Sequence, residues 1–440
     1  MTSKLKRRSF ALMTLLFALL FLAVPQMSDA HLLFTTQENY ANTALGIIIG
    51  DKVTTPLRSN MGGNNGQTIT PFINGDGQLR IAITLYTWGQ GDILNLYAPG
   101  DPSLWTQPEN WEPPLDESEI SLQNTRDLTI VGKFLYGIDY DEAKVTCMEV
   151  KKAAGKETYE DTGLSYTYVP QTPGYEAHGE ALFFYGGSLY GLFTEAYKPW
   201  EGGAYSLNRL IKLDGNLTKQ DELELKGKNI ESGTPGAYAL VGKKLFVTSL
   251  GGVQSYAGAL NPESQIEVVD LGTMETTPLV TAQDMNDKDP TFSHMLFAIA
   301  AANGKIYVQA VQWGTEKYNI RIYETTEEKL VQKDLTLLKE FTGVGWRAGL
   351  VHDPSTKALW AAVGSSLWRY DYNGKSWKEF DKDDLQGDIS AFAVLATPEG
   401  HGGEPTQPGH KGDSGGGCDA GFGWLALLAL LPAATLRRRS

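Results

Sequence analysis

The chain of 440 residues has only 2 cysteines, Cys147 and Cys418, too few for a disulfide framework or a four-ligand zinc site. It is also short of positive charge, with 38 Lys and Arg against 52 Asp and Glu and a formal charge of −14. Setting aside four bases and one acid in residues 1–30, and three bases and one acid in 419–440, leaves −19 on the remainder. That balance excludes binding to nucleic acid by phosphate neutralisation. A phosphate-binding loop, a dinucleotide fingerprint and an H-E-x-x-H pair are all missing. Asn74 to Gly77 and Asp284 to Asp289 are acidic turns without the ligand spacing of a calcium loop. No cofactor is therefore expected. Amphipathic helices of useful length are missing as well.

What is present begins with two distinctive ends. A basic stretch, Lys4 to Arg8, precedes an apolar run from Phe10 to Val24, and Ser28-Asp29-Ala30 offers a small-residue cleavage site. Residues 1–30 read as a signal peptide for signal peptidase, cut after Ala30. A membrane-spanning helix is the weaker reading, because the run is only about 15 residues. Arg7-Arg8-Ser9-Phe10 touches the twin-arginine pattern, but the strongly apolar run favours the general secretory route.

At the other end, residues 398–417 form a Gly/Pro-rich polar stretch without periodicity, expected to be a flexible linker. Residues 418–440 follow, with a glycine hinge, an apolar run from Trp424 to Leu436 and the basic stop Arg437-Arg438-Arg439. This is barely long enough to span a bilayer as a transmembrane helix, and its arginines would stay cytoplasmic. Gly416, Gly417, Cys418, Ala420, Gly421, Phe422 and Gly423, with the Leu-rich run, Pro432 and the arginines, resemble the Synerg-CTERM class of protein-sorting tails. These are similar in layout to the MYXO-CTERM and GlyGly-CTERM tails of other diderm bacteria. The resemblance covers about 26 residues. It implies an exported protein, processed near Cys418 by a membrane sorting protease and held at the cell envelope or outer surface. Gly412-Asp413-Ser414-Gly415-Gly416 copies a serine-hydrolase nucleophile segment, but it sits in the linker without the strand and helix that a nucleophile elbow needs.

Between the ends, short aliphatic-aromatic strands alternate with Gly, Asn and Asp turns. Leu33, Ile81, Leu135, Leu189, Leu245, Ile306 and Leu359 occupy equivalent places, separated by 48, 54, 54, 56, 61 and 53 residues. A period near 50 with about four strands per unit predicts an all-β fold, a β-propeller over residues 31–397. Ile389 to Ala396 reads as an innermost strand with nothing after it, and Leu32 to Leu57 as three strands lacking an innermost one. Their pairing would close a ring of seven blades and remove its edges. Six blades, or an open solenoid, are the alternatives.

In that architecture the connections into each inner strand share a face with the loops after each anchored strand. Arg126, His178 and Arg347 fall on the first kind of connection; Trp88, Trp200 and Trp313 on the second. Together they suggest a funnel in which aromatics stack on a glycan or peptide and the arginines pair an anionic group. The bland alternative is that these tryptophans pack loops against blade edges. His178 and His294 sit 11 and 12 residues before their anchors, but no third ligand has metal spacing, so hydrogen-bonded structural histidines are expected. The sequence thus favours an exported, envelope-anchored, non-enzymatic binding protein. The alternatives are a surface hydrolase or lyase using Glu176, His178 and His294, and a purely structural surface component. A propeller can host all three.

Overall fold

The computed structural model describes residues 31–38, 41–62, 65–74, 76–87, 90–111, 114–153, 156–198, 203–230, 235–252, 261–314, 317–345 and 347–395. The signal segment, the linker with its Gly412 to Gly416 motif, the sorting tail, Trp88, Trp200, Tyr256 and Trp346 lie outside these residues.

Seven antiparallel sheets follow one another along the chain. From the inside outward, blade 1 comprises Asp388–Val394, His31–Glu38, Ala41–Ile49 and Lys52–Arg58. Blade 2 is Asn65–Ile73, Leu79–Tyr86, Ile93–Tyr97 and Asp116–Glu119. Blade 3 is Thr125–Val131, Phe134–Asp139, Lys144–Ala153 and Lys156–Thr167. Blade 4 is Glu176–Tyr185, Ser188–Tyr197, Leu207–Leu213 and Lys219–Lys228, with Ala204–Tyr205 added beside its second strand. Blade 5 is Tyr238–Val241, Lys244–Ser249, Gln265–Asp270 and Glu275–Thr281. Blade 6 is Met295–Ala302, Lys305–Gln312, Tyr318–Thr325 and Thr336–Val344; blade 7 is Ala348–Asp353, Ala358–Val363, Ser366–Asp371 and Ser376–Phe380.

The expected ring closure is present. The last strand pairs antiparallel with the first, bringing Phe34 opposite Phe392 and Leu32 opposite Val394. All seven anchors lie in second strands.

Burial explains the sequence pattern. Among the described residues most buried apolar side chains fall in seven clusters, six of them drawn from two neighbouring blades and the seventh from blades 6 and 7 with Leu250 of blade 5. Between blades 7 and 1, for example, Trp360, Leu367 and Phe380 pack with Leu32, Phe34 and Phe392. A strand therefore serves one interface with each face, and alternation gives way to unbroken apolar runs such as Ile81-Ala82-Ile83.

The inner strands carry a second regularity. In blades 1, 2, 3, 4 and 6 the pairing with the second strand slips by one residue near the start of the inner strand. The residues left without a partner opposite are Ser390, Gln67, Arg126, Glu180 and Phe297. Such bulges re-aim side chains that a regular strand would send to alternating faces.

The face opposite the expected funnel has tight turns such as Gly242-Lys243 and Asn303-Gly304. It also carries longer connections where third and fourth strands join. In blade 2 two 3-10 turns, Pro102–Leu104 and Pro108–Asn110, bury Trp105 and Trp111 beneath them. In blade 6 the short helix Glu327–Val331, capped by Thr326, fills the same position.

Candidate site in the central channel

Every inner strand contributes to a central channel with a cavity volume of about 490 Å³. Its wall differs from side to side. Blades 2, 3 and 4 supply Gln67, Arg126, Asp127 and Glu180, whereas blades 6, 7 and 1 supply mainly Ile299, Ala300, Leu350, Ala391 and Phe392. Three of the five bulged residues, Gln67, Arg126 and Glu180, are thus brought to one side of the channel by successive blades. The bulge also lets the consecutive residues Arg126 and Asp127 line the same space.

The start of blade 5 is hydrogen-bonded to blades 6 and 7. The Pro235 carbonyl accepts from Leu350 N at 2.8 Å and the Gly236 carbonyl from Ile299 N at 2.7 Å, so the start of blade 5 reaches both later blades. Gly236 has φ +120°, and a Cβ there would lie 2.9 Å from the Ala298 Cβ and 3.1 Å from Leu350 N. A side chain fits neither the backbone nor the space.

Arg126 is held by a braced approach. Asp92 of blade 2 accepts from Asn124 N at 3.2 Å and Thr125 N at 2.6 Å. Asp139 of blade 3 accepts from Glu142 N at 2.8 Å and from Gln123 N. Burial raises both carboxyls, that of Asp139 to about 6. Asn124 accepts from Gln67 Nε2 at 3.1 Å, tying the blade 2 bulge to the same loop.

The Arg126 guanidinium then lies 4.3 Å over the Tyr140 ring, and Tyr140 stacks on His178 with centroids 4.2 Å apart and planes 19° apart. The Tyr140 carbonyl accepts from His178 Nδ1 at 3.2 Å. A carbonyl cannot donate, so in the neutral ring the proton sits on Nδ1 and the lone pair on Nε2. His178 is 6% exposed, and its Nε2 has no hydrogen-bond partner among the described residues. Burial lowers its pKa, which keeps the ring neutral near pH 7.

Asp127 accepts from Leu128 N at 2.9 Å and, across the blade boundary, from Leu182 N at 3.0 Å. Burial nonetheless pushes its carboxyl up to about 7. Tyr238 of blade 5 lies close enough for the Asp127 charge to raise its hydroxyl further above the range that burial already sets.

No family model matches the chain, and no curated protein matches it in sequence. Its fold is that of solved propellers. A candidate 6-phosphogluconolactonase from Bacteroides fragilis NCTC 9343 superposes with a TM-score of 0.52 at 12% identity, covering 84% of this chain and 98% of that one. A second, from Bacteroides uniformis ATCC 8492, gives 0.53 at 11% identity over 83% of this chain and 99% of that one. A Lactobacillus plantarum protein gives 0.52 at 12% identity over 84% of this chain and all of that one. At this identity the similarity carries the architecture alone.

The residues singled out from the sequence separate into groups. Arg126 lines the channel and meets His178 through Tyr140, two residues that stand behind the lining. Trp313 packs edge-on against Tyr318 and against the cluster between blades 6 and 7. Arg347 is buried at the start of blade 7; burial opposes ionisation of the Asp388 carboxyl, and the Ser365 and Lys382 hydrogen bonds, the Lys382 charge and, least of these, the Arg347 charge together bring it below its ordinary value. His294 pairs with the Tyr323 hydroxyl at 2.7 Å, and burial, then the Arg321 charge, bring its pKa down to about 4. His178 and His294 share no partner, and the described residues contain no metal-ligating cluster. Trp88, Trp200, Ala30, Gly416, Gly417 and Cys418 lie outside the described residues. Sequence reasoning missed Gln67, Asp127 and Glu180, whose placement depends on the bulges. In the sequence Tyr140 is only the middle residue of Asp139-Tyr140-Asp141, which carries no sign of a stacking role.

Proposed function

We propose that this chain is an exported propeller, anchored to the envelope by its C-terminal tail, that binds a small ligand in the channel beside blades 2, 3 and 4. Signal peptidase and a membrane sorting protease are its processing partners. The observation that carries the binding reading is Arg126, which lies over the Tyr140 ring, itself stacked on His178, at the polar wall of a cavity of about 490 Å³. That volume falls in the range of small-molecule sites. A planar guanidinium seated on an aromatic ring presents its N–H edges in a fixed fork suited to a carboxylate or phosphate. Trp313 and Arg347 serve packing in this reading.

The test is a thermal-shift screen of the full chain in detergent with amino acids, short peptides, envelope glycans and divalent metals. Binding to the native state raises the midpoint by mass action. A shift that disappears in Arg126→Met supports the reading, and a flat response across the panel counts against it. Protease treatment of intact cells tests the envelope placement, since an internal chain would be spared.

A hydrolase or lyase is the second reading, favoured by the buried lone pair on His178 Nε2. It predicts turnover of a bound compound that His178→Gln abolishes while binding persists.

A further inference from the structure

We propose that the interface between blades 1 and 2 contains an internal water site, built on the Asn95 side chain and lying beside the Arg58–Glu117 ion pair. Asn95 is the middle residue of the third strand of blade 2, Ile93–Tyr97, and is fully buried. It stands opposite Ile83 on one side and Glu117 on the other, and Ile83 stands opposite Ile69. Residues paired across neighbouring strands share a face, so these four side chains form one row. The row is turned to blade 1. Ile69 and Ile83 belong to the cluster that includes Leu45 and Ile47, and Glu117 accepts from the Arg58 guanidinium at 2.8 Å. An amide is thus set between aliphatic side chains on its inner side and an ion pair on its outer side.

Both polar atoms of that amide, Oδ1 and Nδ2, are buried and have no hydrogen-bond partner among the described residues. Leaving such a group bare is costly, and buried polar atoms are met by protein or by ordered water. Blade 1 supplies a second unmatched group. Thr54 stands opposite Ile47, on the side turned to blade 2, and its buried Oγ1 also has no partner among the described residues. The chemistry of the donor set selects the ligand. Oδ1 needs a donor and Nδ2 an acceptor, so a cation would serve the first alone and an anion the second alone. Water does both, and the Glu117 carboxylate at the next place in the row gives it a further acceptor. About three polar partners is the usual complement of an internal water. Asn95 does not line the central channel, so this site is separate from the proposed ligand site.

The first measurement is a crystal structure of the full chain in detergent, at a resolution that orders internal waters. It should place water about 2.7–3.2 Å from Asn95 Oδ1, from Nδ2, or from both. Protein groups bonded to both atoms, or an amide with no partner of any kind, would overturn the proposal.

The second is oxygen-17 relaxation dispersion of the solvent, which counts water molecules held for longer than the protein takes to tumble. Asn95→Leu removes both polar atoms and should lower that count by at least one. An unchanged count in a folded Asn95→Leu protein overturns the proposal. If Asn95→Leu fails to fold, the crystal structure of the unmutated chain decides by itself.

Discussion

The Asp127 carboxyl offers a test of the channel's electrostatics. Its pKa stands near 7, against 3.8 in the unfolded chain, because burial outweighs the two backbone N–H groups that favour the ion. A carboxyl raised on folding disfavours ionisation of the native state. The penalty is absent below about pH 4, grows as pH rises from 4 to 7, and is complete above that. About 3 pKa units at 1.36 kcal/mol each set a ceiling of about 4 kcal/mol. In Asp127→Asn the amide oxygen can still accept from Leu182 N, so any fixed cost of the substitution does not depend on pH. The other titratable groups that line the channel, Arg126, Glu180, Tyr238 and His352, are common to both proteins, and of them Tyr238 is the one whose hydroxyl the Asp127 charge acts on. Urea unfolding of both proteins at pH 4.5, 6, 7 and 8 isolates the term. The stability of Asp127→Asn relative to wild type should rise with pH by about 2–4 kcal/mol, most of it below pH 7. A flat difference would refute the reasoning. A difference that falls with pH would mean that Arg126 holds the carboxylate ionised.

Three further predictions concern the fold. Arg80 and Glu157 form a buried two-pronged pair between blades 2 and 3 at 2.7 and 2.8 Å, so Arg80→Met should cost about 3–5 kcal/mol by urea unfolding, leaving a buried charge unmatched. The Arg80 hydrogen bonds lower the Glu157 pKa, so the pair's contribution to wild-type stability is present above about pH 4.5 and lost as pH falls through the lowered value. Gly236→Ala should cost about 2–4 kcal/mol, since φ +120° and the Ala298 contact both oppose a Cβ; a loss under about 0.5 kcal/mol would mean that the blade 5 start does not reach blades 6 and 7 as described. Phe34→Ala and Phe392→Ala should each cost about 3–5 kcal/mol and couple in a double-mutant cycle by at least about 0.5 kcal/mol, and strict additivity would contradict ring closure.

The blades were legible because each repeats one physical requirement: a second strand buried on both faces, followed by a turn. Leu135 and Ile306 sit in different blades but answer the same demand, so spacing alone located them. Ring closure followed from counting strands at the two ends. Other features were hidden for equally physical reasons. A bulge depends on how two strands register, so nothing in Gln67, Arg126 or Glu180 announced that three blades would turn them to one wall. The crossing at Pro235-Gly236 depends on partners more than 60 and 110 residues further on, Ile299 and Leu350. The aromatic emphasis was ambiguous from the start, because a tryptophan that packs a loop and one that stacks a ligand have the same composition. Trp313 packs against Tyr318, whereas Tyr140, an ordinary turn residue in the sequence, lies between a guanidinium and an imidazole.

The proposed binding site is the channel wall of blades 2 to 4 and excludes the aromatic rim. The most direct test is the affinity of the tightest compound from the screen for Arg126→Met and for Trp313→Ala, measured side by side by calorimetry. Affinity should fall at least about tenfold in Arg126→Met and less than about twofold in Trp313→Ala. Unchanged affinity in Arg126→Met, with a large loss in Trp313→Ala, would contradict it and move the site to the rim.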